Sequence, residues 1–542
     1  MTDGWNFADI WEVCAEERGD SPALSHGSVR RSWAEFDRRA GGLARFLADA
    51  GLERQDKVAQ YLYNCNEYLE SVFASMKASL VPVNTNYRYG AEELMFLWDN
   101  ADAAAVVFHG SFADRVARLR SHLPKVKAWI HVDDGSGPCP DFAVDYETAA
   151  RSPGAAADTR AELPGGRSGD DLCLLYTGGT TGTPKGVMWR QDDLFALLNA
   201  SNIVSHPVDG GLPAIRESIA SLSVPPVLLP ACPLMHGTGL FTAFAALVLG
   251  GRVATLQSRQ FDVVELLDTI GREGVNIVTI VGDAFAAPIL MALDAHPGRW
   301  DLSSLVAMIS SGVMWSEQTK QALLGHQPNM TLIDAFSSSE ALGMGTAVSA
   351  AGSEARTARF RIGERARLID DEGRQIAPGT GQVGRLAVGG RLPVGYHKDP
   401  AKTASTFVVI DGERFSVPGD YATVGEDGSL VLLGRGSVCI NTGGEKVFPE
   451  EVEEVLKTHS AVMDAACVAV PDARFGEAIA ALVQLRPERT VDPADLVGLV
   501  KAHLAHFKAP RHVVFVDTVG RSPAGKLDYS ALRDQAKCLL VL

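Results

Sequence analysis

Nothing in the cysteine usage points to a disulfide framework or a zinc site. The eight cysteines, at 14, 65, 139, 173, 232, 439, 467 and 538, are scattered and form no Cys-x-x-Cys pair, so buried thiols in a reducing compartment are expected. His503 and His506 stand three apart on an expected helix with nothing nearby to complete a metal site; they read as an ordinary helix face. Long apolar runs are missing too. The longest, around Phe241 to Leu249, falls well short of the roughly 20 residues that span a bilayer. Positive charge is in deficit, Lys+Arg 50 against Asp+Glu 66 giving −16. That balance argues against a general nucleic-acid or anionic-membrane binder and requires any polyanion site to gather its positive charge locally. The opening Met1-Thr-Asp-Gly-Trp-Asn has neither a basic nor an apolar signal region, so a cytoplasmic protein is expected. No internal repeat and no low-complexity tail is visible, and oligomeric state is not legible.

What is present describes a globular chain. Hydrophobic residues make up 46% and charged residues 21%, and 542 residues call for several compact units. Ser32-Trp33-Ala34-Glu35 starts a helix by the capping-box rule, and the periodic run Phe36 to Leu47 continues it. Val58 to Leu62 reads as a strand, Tyr68 to Leu80 as a helix, Val81 to Asn84 as extended and Ala103 to Phe108 as a strand. Such alternation, resumed at Val275 to Val281 and Leu305 to Ile309, implies an α/β architecture with parallel sheets under helical covers. Asp133 to Asp170 reads as a surface connection and Gly210 to Pro230 as an irregular insertion. Beyond about residue 380 short antiparallel strands are expected. Gly434-Arg435-Gly436-Ser437 has the composition of a linker, and residues 438–542 carry their own apolar periodicity, an α+β unit: helix Glu450 to Lys457, strand Ala465 to Ala469, helix Pro493 to His506, strand Val513 to Val516.

One stretch carries chemistry on its face. Tyr176 to Gly186 packs four glycines, four threonines, a proline and a lysine into eleven residues, after the apolar run Leu172 to Leu175. Glycines let an anion approach backbone N–H groups, the hydroxyls of Thr177, Thr180 and Thr181 add donors, and Lys185 adds a point charge. This wants a polyphosphate. It is not the Walker loop, because Pro184 stands between Gly182 and Lys185. The bland alternative is a flexible Gly/Thr surface loop.

The stretch resembles the phosphate-loop signature of the acyl-adenylate-forming enzymes: acyl-CoA synthetases, nonribosomal-peptide adenylation domains and luciferases. The resemblance extends almost to the C-terminus. It implies a large N-terminal AMP-binding domain (1–434), a hinge (435–437) about Ser437 and a small mobile C-terminal domain (438–542). It also implies that Thr177, Gly178, Gly179, Thr180, Thr181 and Lys185 hold ATP phosphates. Asp334-Ala335-Phe336-Ser337-Ser338-Ser339-Glu340 is similar to the family's Tyr-Gly-x-Thr-Glu segment. That likeness counts Asp334 with the nucleotide site and puts Phe336 on adenine, Ser339 on phosphate and Glu340 on Mg²⁺. By itself the segment would read as a helix N-terminus. Ser310-Ser311-Gly312-Val313 resembles the adenine-side loop, with Ser311 and Gly312 at the nucleotide. Asp420 of Pro418-Gly419-Asp420 and Arg435 would take the ribose, although a turn aspartate is the plain alternative. Lys526 of Arg521-Ser522-Pro523-Ala524-Gly525-Lys526 matches the family's mobile catalytic lysine, otherwise a solvated tip. His236 matches a position on the acyl and thiol path; a satisfied core histidine is the alternative.

The resemblance implies ATP-dependent activation of a carboxylic acid to acyl-AMP and transfer to coenzyme A. The runner-up acceptor is a carrier-protein thiol or partner enzyme, and no carrier domain is expected here. A luciferase-like oxygenase and a nucleotide-binding regulator stand further off. Several blocks, among them Gly282-Asp283-Ala284 and Leu392-Pro393-Val394-Gly395-Tyr396, look closest to bacterial CoA ligases for long-chain acids and carboxylated steroid side chains. Gly282, Asp283, Val313 and Gly343 are the expected acyl-pocket residues, and Gly282, Ala284, Ala286, Ala287, Gly343 and Gly345 would vacate side-chain volume for a bulky hydrophobic acid. The rival reading is that these small residues only pack helix against strand.

Overall fold

The computed structural model describes residues 4–151, 166–177, 184–202, 204–313, 315–352, 357–442, 445–472, 475–522 and 525–540, with Arg435, Ser437 and Lys446 described in backbone only. Helix Trp33–Asp49 begins where the sequence predicts. The Glu35 N–H donates to Ser32 Oγ (3.2 Å) and the Ser32 N–H to Glu35 Oε2 (3.0 Å), which satisfies two orphan donors reciprocally. Its apolar stripe Trp33, Phe36, Ala40, Leu43 and Leu47 is buried.

Strands Lys57–Tyr61, Val81–Asn84, Ala103–His109 and Ala128–Val132 run parallel. Ala103–His109 is buried along its whole length, as a strand covered on both faces must be. They belong to an eight-stranded sheet ordered Gly395–Tyr396, Lys185–Arg190, Leu172–Thr177, Val81–Asn84, Lys57–Tyr61, Ala103–His109, Ala128–Val132, Val144–Asp145. A fifteen-stranded sheet lies beside it. Its parallel part includes Val227–Pro230, Ile277–Ile280, Ala307–Ser311 and Thr331–Ser338, and from Ala341–Ser349 onward it turns antiparallel. Between the sheets lies an aromatic core of Phe7, Trp11, Phe36, Phe73 and Phe244, with Trp11 edge-on to Phe73 at 5.2 Å. The fully buried Lys77 ammonium within it is met by Glu12 (2.5 Å) and Asp37 (2.7 Å), because an unpaired buried charge would be prohibitive.

Strands from 440 onward form a separate five-stranded sheet. Its long hairpin, Val462–Asp472 with Gly476–Leu485, obeys the two-residue period. Ala465, Cys467 and Ala469 share a core with Val452 and Leu456 of helix Pro449–Lys457, while Ala466, Val468 and Val470 share one with Leu532 and Ala536 of helix Tyr529–Leu540. No helix among the described residues is long and apolar enough to cross a membrane.

Four sequence expectations change. The insertion Gly210 to Pro230 holds helix Gly211–Ser221, which buries Ile215 and Ile219, and strand Val227–Pro230. The surface connection contains strand Val144–Asp145 and helix Tyr146–Ala150. Gly434 and Arg435 end strand Ser429–Arg435 instead of forming a loose linker, and a 3₁₀ turn Gly436–Val438 follows. Helix Pro493–His503 stops three residues early, a 3₁₀ turn holding His506.

Candidate active site

The phosphate-loop stretch starts and ends on paired strands. Leu172–Thr177 pairs antiparallel with Lys185–Arg190, and Thr177 lies opposite Lys185 at the neck. Gly178, Gly179, Thr180 and Thr181 lie outside the described residues. A Cβ on Gly186 would come within 2.9 Å of the Tyr176 ring, so glycine lets the two strands close. Asn84, which sequence reasoning missed, fixes this neck. Its Oδ1 accepts the Tyr176 N–H (2.6 Å), and its Nδ2 donates to the carbonyls of Tyr176 (2.9 Å) and Met235 (2.6 Å). One buried amide thus joins the hairpin to the segment that carries His236. The available signal was a polar residue closing the buried strand Val81–Asn84.

Carboxyl ends of parallel strands supply the next wall, the usual place for a ligand in α/β sheets. Ser310 and Ser311 are paired with Asp334 and Ala335. Gly312 adopts φ +94° and Gly282 φ +53°, both open to glycine and strained for other residues; the Gly282 N–H donates to Ser310 Oγ at 2.9 Å. Asp334, expected at the nucleotide, has its Oδ2 3.0 Å from the buried Lys320 ammonium. Burial raises its carboxyl above the usual range while Lys320 draws it back. Phe336 lies on strand Thr331–Ser338, not on a helix, 5.3 Å from the Phe360 ring.

Glu340 sits in the turn between Thr331–Ser338 and Ala341–Ser349. Its Oε1 accepts from the Tyr396 hydroxyl at 2.8 Å, and the preceding Ser339 carbonyl accepts from Trp189 Nε1 at 3.0 Å. Both donors stand on strands of the phosphate-loop sheet, so the structure brings Glu340 and Ser339 to the hairpin of Thr177 and Lys185. Asp420 is buried and lies directly across the ladder from Arg435. Ser437 follows in the 3₁₀ turn, where the Gly436 N–H donates to the Gly419 carbonyl (3.1 Å).

The expected acyl-pocket residues divide. A Cβ at Gly343 would meet open space, whereas one at Gly345 would come within 2.9 Å of Phe360 Cβ. At Gly345 the space is taken by the neighbouring strand, not by a helix. Asp283 is no apolar wall: both its carboxylate oxygens accept the Ser316 N–H at 3.2 Å. Burial raises its carboxyl above the usual range, and Lys457 of the C-terminal unit opposes that shift.

Val313 and Val281 meet the C-terminal unit. A Cβ on Gly525 (φ +71°) would lie 3.0 Å from Val313 Cγ2, 3.2 Å from Val281 Cγ1 and 3.4 Å from Ala284 Cβ, so the turn before Lys526 rests on an apolar wall of the N-terminal unit. Arg521 grips Asp464 through two nitrogens (2.6 and 2.9 Å) and donates to the Gly525 carbonyl (3.1 Å), while the Lys526 N–H donates to Ser522 Oγ (3.1 Å). Lys526 itself is exposed. The half-buried His236 is displaced to a pKa of about 3 by burial first, then by the positive charges of Lys526 and Arg88. Its imidazole is therefore neutral at any working pH, and Lys526 is within electrostatic reach of it.

Comparison with known proteins identifies the family. The profile "AMP-binding enzyme" matches residues 11–395, and "AMP-binding enzyme C-terminal domain" matches residues 451–526. The chain belongs to the AMP-binding enzyme family. Among its relatives is the medium/long-chain-fatty-acid–CoA/3-oxocholest-4-en-26-oate–CoA ligase of Mycobacterium tuberculosis, 39% identical over 98% of this chain and 96% of the relative. Another is the 3-oxocholest-4-en-26-oate–CoA ligase of Rhodococcus rhodochrous, 38% identical over 98% and 96%. The fold matches the crystal structure of the anthranilate CoA ligase AuaEII with anthranoyl-AMP at TM-score 0.84 and 20% identity, over 100% of this chain and 99% of that one. The donor set of this AMP-binding enzyme fits magnesium. Among the described residues no three His, Cys, Asp or Glu side chains gather as a metal cage. A single carboxylate, that of Glu340 beside the hairpin of Thr177 and Lys185, suits an ion that keeps waters and shares nucleotide phosphates.

Proposed function

We propose that the protein is an AMP-forming acid–CoA ligase for bulky hydrophobic carboxylic acids: long-chain, terpenoid or steroid-like. The acid's carboxylate oxygen bonds to the α-phosphorus of ATP as the α–β bridge breaks and pyrophosphate leaves. The CoA sulfur then bonds to the acyl carbon, its proton is lost, and AMP departs. The observation that carries this reading is the turn before Lys526 seated on Val281, Ala284 and Val313 of the N-terminal unit.

Two anions must be held together as charge builds on the α-phosphate, which calls for fixed donors and cations in a water-poor cleft. In this reading Thr177, Lys185 and the loop between them hold the phosphates. Ser311, Gly312 and Phe336 border adenine, Ser339 meets phosphate, and Asp420 with Arg435 takes the ribose. Glu340 would hold magnesium, whose positive charge would offset the negative charge of the phosphates. Lys526 cancels charge on the carboxylate and the α-phosphate during the first step. His236, being neutral, lines the acyl and thiol path without adding a competing cation. Residues 435–437, with Ser437 at their centre, form the hinge by which the 438–542 unit exchanges the Lys526 surface for a CoA-accepting one, and Mg²⁺, ATP and CoA are the required small molecules.

The relatives, ligases for medium- and long-chain fatty acids and for 3-oxocholest-4-en-26-oate, support a large apolar acid, and Gly282 and Val313 border the apolar side of the site. Burying a fused-ring body gains roughly 25 cal/mol per Å², enough to separate it from short acids. The test is pyrophosphate release with acetate, benzoate, octanoate, palmitate, a steroid acid and a diterpenoid acid. The highest kcat/KM is expected for one of the three largest; a best substrate of six carbons or fewer overturns the assignment.

A further inference from the structure

Glu340 lies in a short turn, where a carboxylate on a flexible side chain has no single direction of its own. Two donors correct this. Trp189, 1% exposed on strand Lys185–Arg190, donates to the Ser339 carbonyl, and Tyr396, 5% exposed, donates to Glu340 Oε1 at 2.8 Å. Tyr396 is itself held on every side. It pairs with Val187 of the hairpin, its N–H donates to Thr403 Oγ1 (2.9 Å), and its ring packs 5.8 Å from Phe407. The next residue, His397, donates its N–H to the Gly186 carbonyl at 2.7 Å. A Cβ on Gly395 would come 2.5 Å from Thr403 Cγ2, so glycine there lets the strand lie close against helix Pro400–Thr406.

We propose that Tyr396 is a positioning residue which clamps one oxygen of Glu340 to the phosphate hairpin and leaves the other for magnesium arriving with ATP. The chemistry suits the task. A phenol supplies one directional hydrogen bond to a carboxylate, strengthened by the acceptor's charge, yet brings no positive charge of its own. Lysine or arginine at this point would neutralise Glu340 and repel the cation. Groups that orient a metal's ligand typically affect metal affinity or activity by 10–100-fold.

The inference rests on the adenylating function proposed above, and its test separates the two. Tyr396→Phe keeps the ring against Phe407 and removes only the hydroxyl. The half-saturating Mg²⁺ concentration in acid-dependent ATP–pyrophosphate exchange is expected to rise about tenfold, with kcat returning toward the parent value at saturating Mg²⁺. The second readout needs no turnover: free Mn²⁺ is counted by electron paramagnetic resonance in mixtures of the protein with a non-hydrolysable ATP analogue. Affinity should fall in Tyr396→Phe and fall further in Glu340→Gln, and adding Tyr396→Phe to Glu340→Gln should cause no additional loss. Unchanged Mn²⁺ affinity in Tyr396→Phe, or in Glu340→Gln, overturns the proposal. Absence of exchange by the parent protein with every acid would instead overturn the function on which it rests.

Discussion

The two halves of the candidate site are built in opposite ways. The N-terminal half is welded together by buried and half-buried polar bonds: Asn84 to Tyr176 and Met235, Trp189 to Ser339, Tyr396 to Glu340. The C-terminal half is tied within itself through Arg521, Asp464 and Ser522, and Gly525 faces the other half at Val313, Val281 and Ala284. Directional bonds hold groups that must keep one geometry. A glycine resting on two valines and an alanine is cheap to separate. In the function proposed above, the difference makes nucleotide binding the task of the bonded half and leaves Lys526 as the charge that is delivered and withdrawn.

Breaking the delivered half should produce the larger effect. In Lys526→Ala, adenylation measured by pyrophosphate exchange is expected to fall by about two orders of magnitude or more, as on removing a transition-state donor. Thioester formation from preformed acyl-AMP should persist. Equal loss of both steps would mean that Lys526 is structural and that the contrast between the halves is false. Breaking the fixed half should instead cost stability. Asn84→Ala abandons the Tyr176 N–H and two carbonyls, at roughly 1–3 kcal/mol for each buried group left unpaired. Denaturant unfolding should show a loss of several kcal/mol, together with weaker ATP binding. Parent-like stability and ATP affinity would remove Asn84 from the account.

Much of the frame was legible because it depends on neighbours in the chain. The Ser32–Glu35 capping box, the apolar strand at Ala103 and the strand around Cys467 are local patterns, and each reads correctly. The site's fixings were not, because Asn84 and Tyr176 are 92 residues apart and Tyr396 and Glu340 are 56 apart. Nothing in one sequence says which distant donor a turn carboxylate will meet. Asp334 shows the same limit: its partner Lys320 lies on the helix Glu317–His326 packed beside its strand, a pairing that spacing alone does not announce. Helix Gly211–Ser221 was hidden by its start, where Gly210, Gly211 and Pro213 read as breakers while only Ile215 and Ile219 mark a buried face. Resemblance brought Glu340, Asp420 and Lys526 together in expectation; geometry added what holds Glu340 and the Lys526 turn.

The central claim is that one chain makes an acyl-adenylate and hands its acyl group to CoA. Isolating the complex formed with ATP, Mg²⁺ and a steroid or long-chain acid, then chasing it with CoA, tests this directly. The account predicts bound acyl-AMP with pyrophosphate released before the chase, followed by acyl-CoA and AMP in equal amounts. Release of ADP and phosphate, or an acyl-AMP that CoA does not consume, would contradict it.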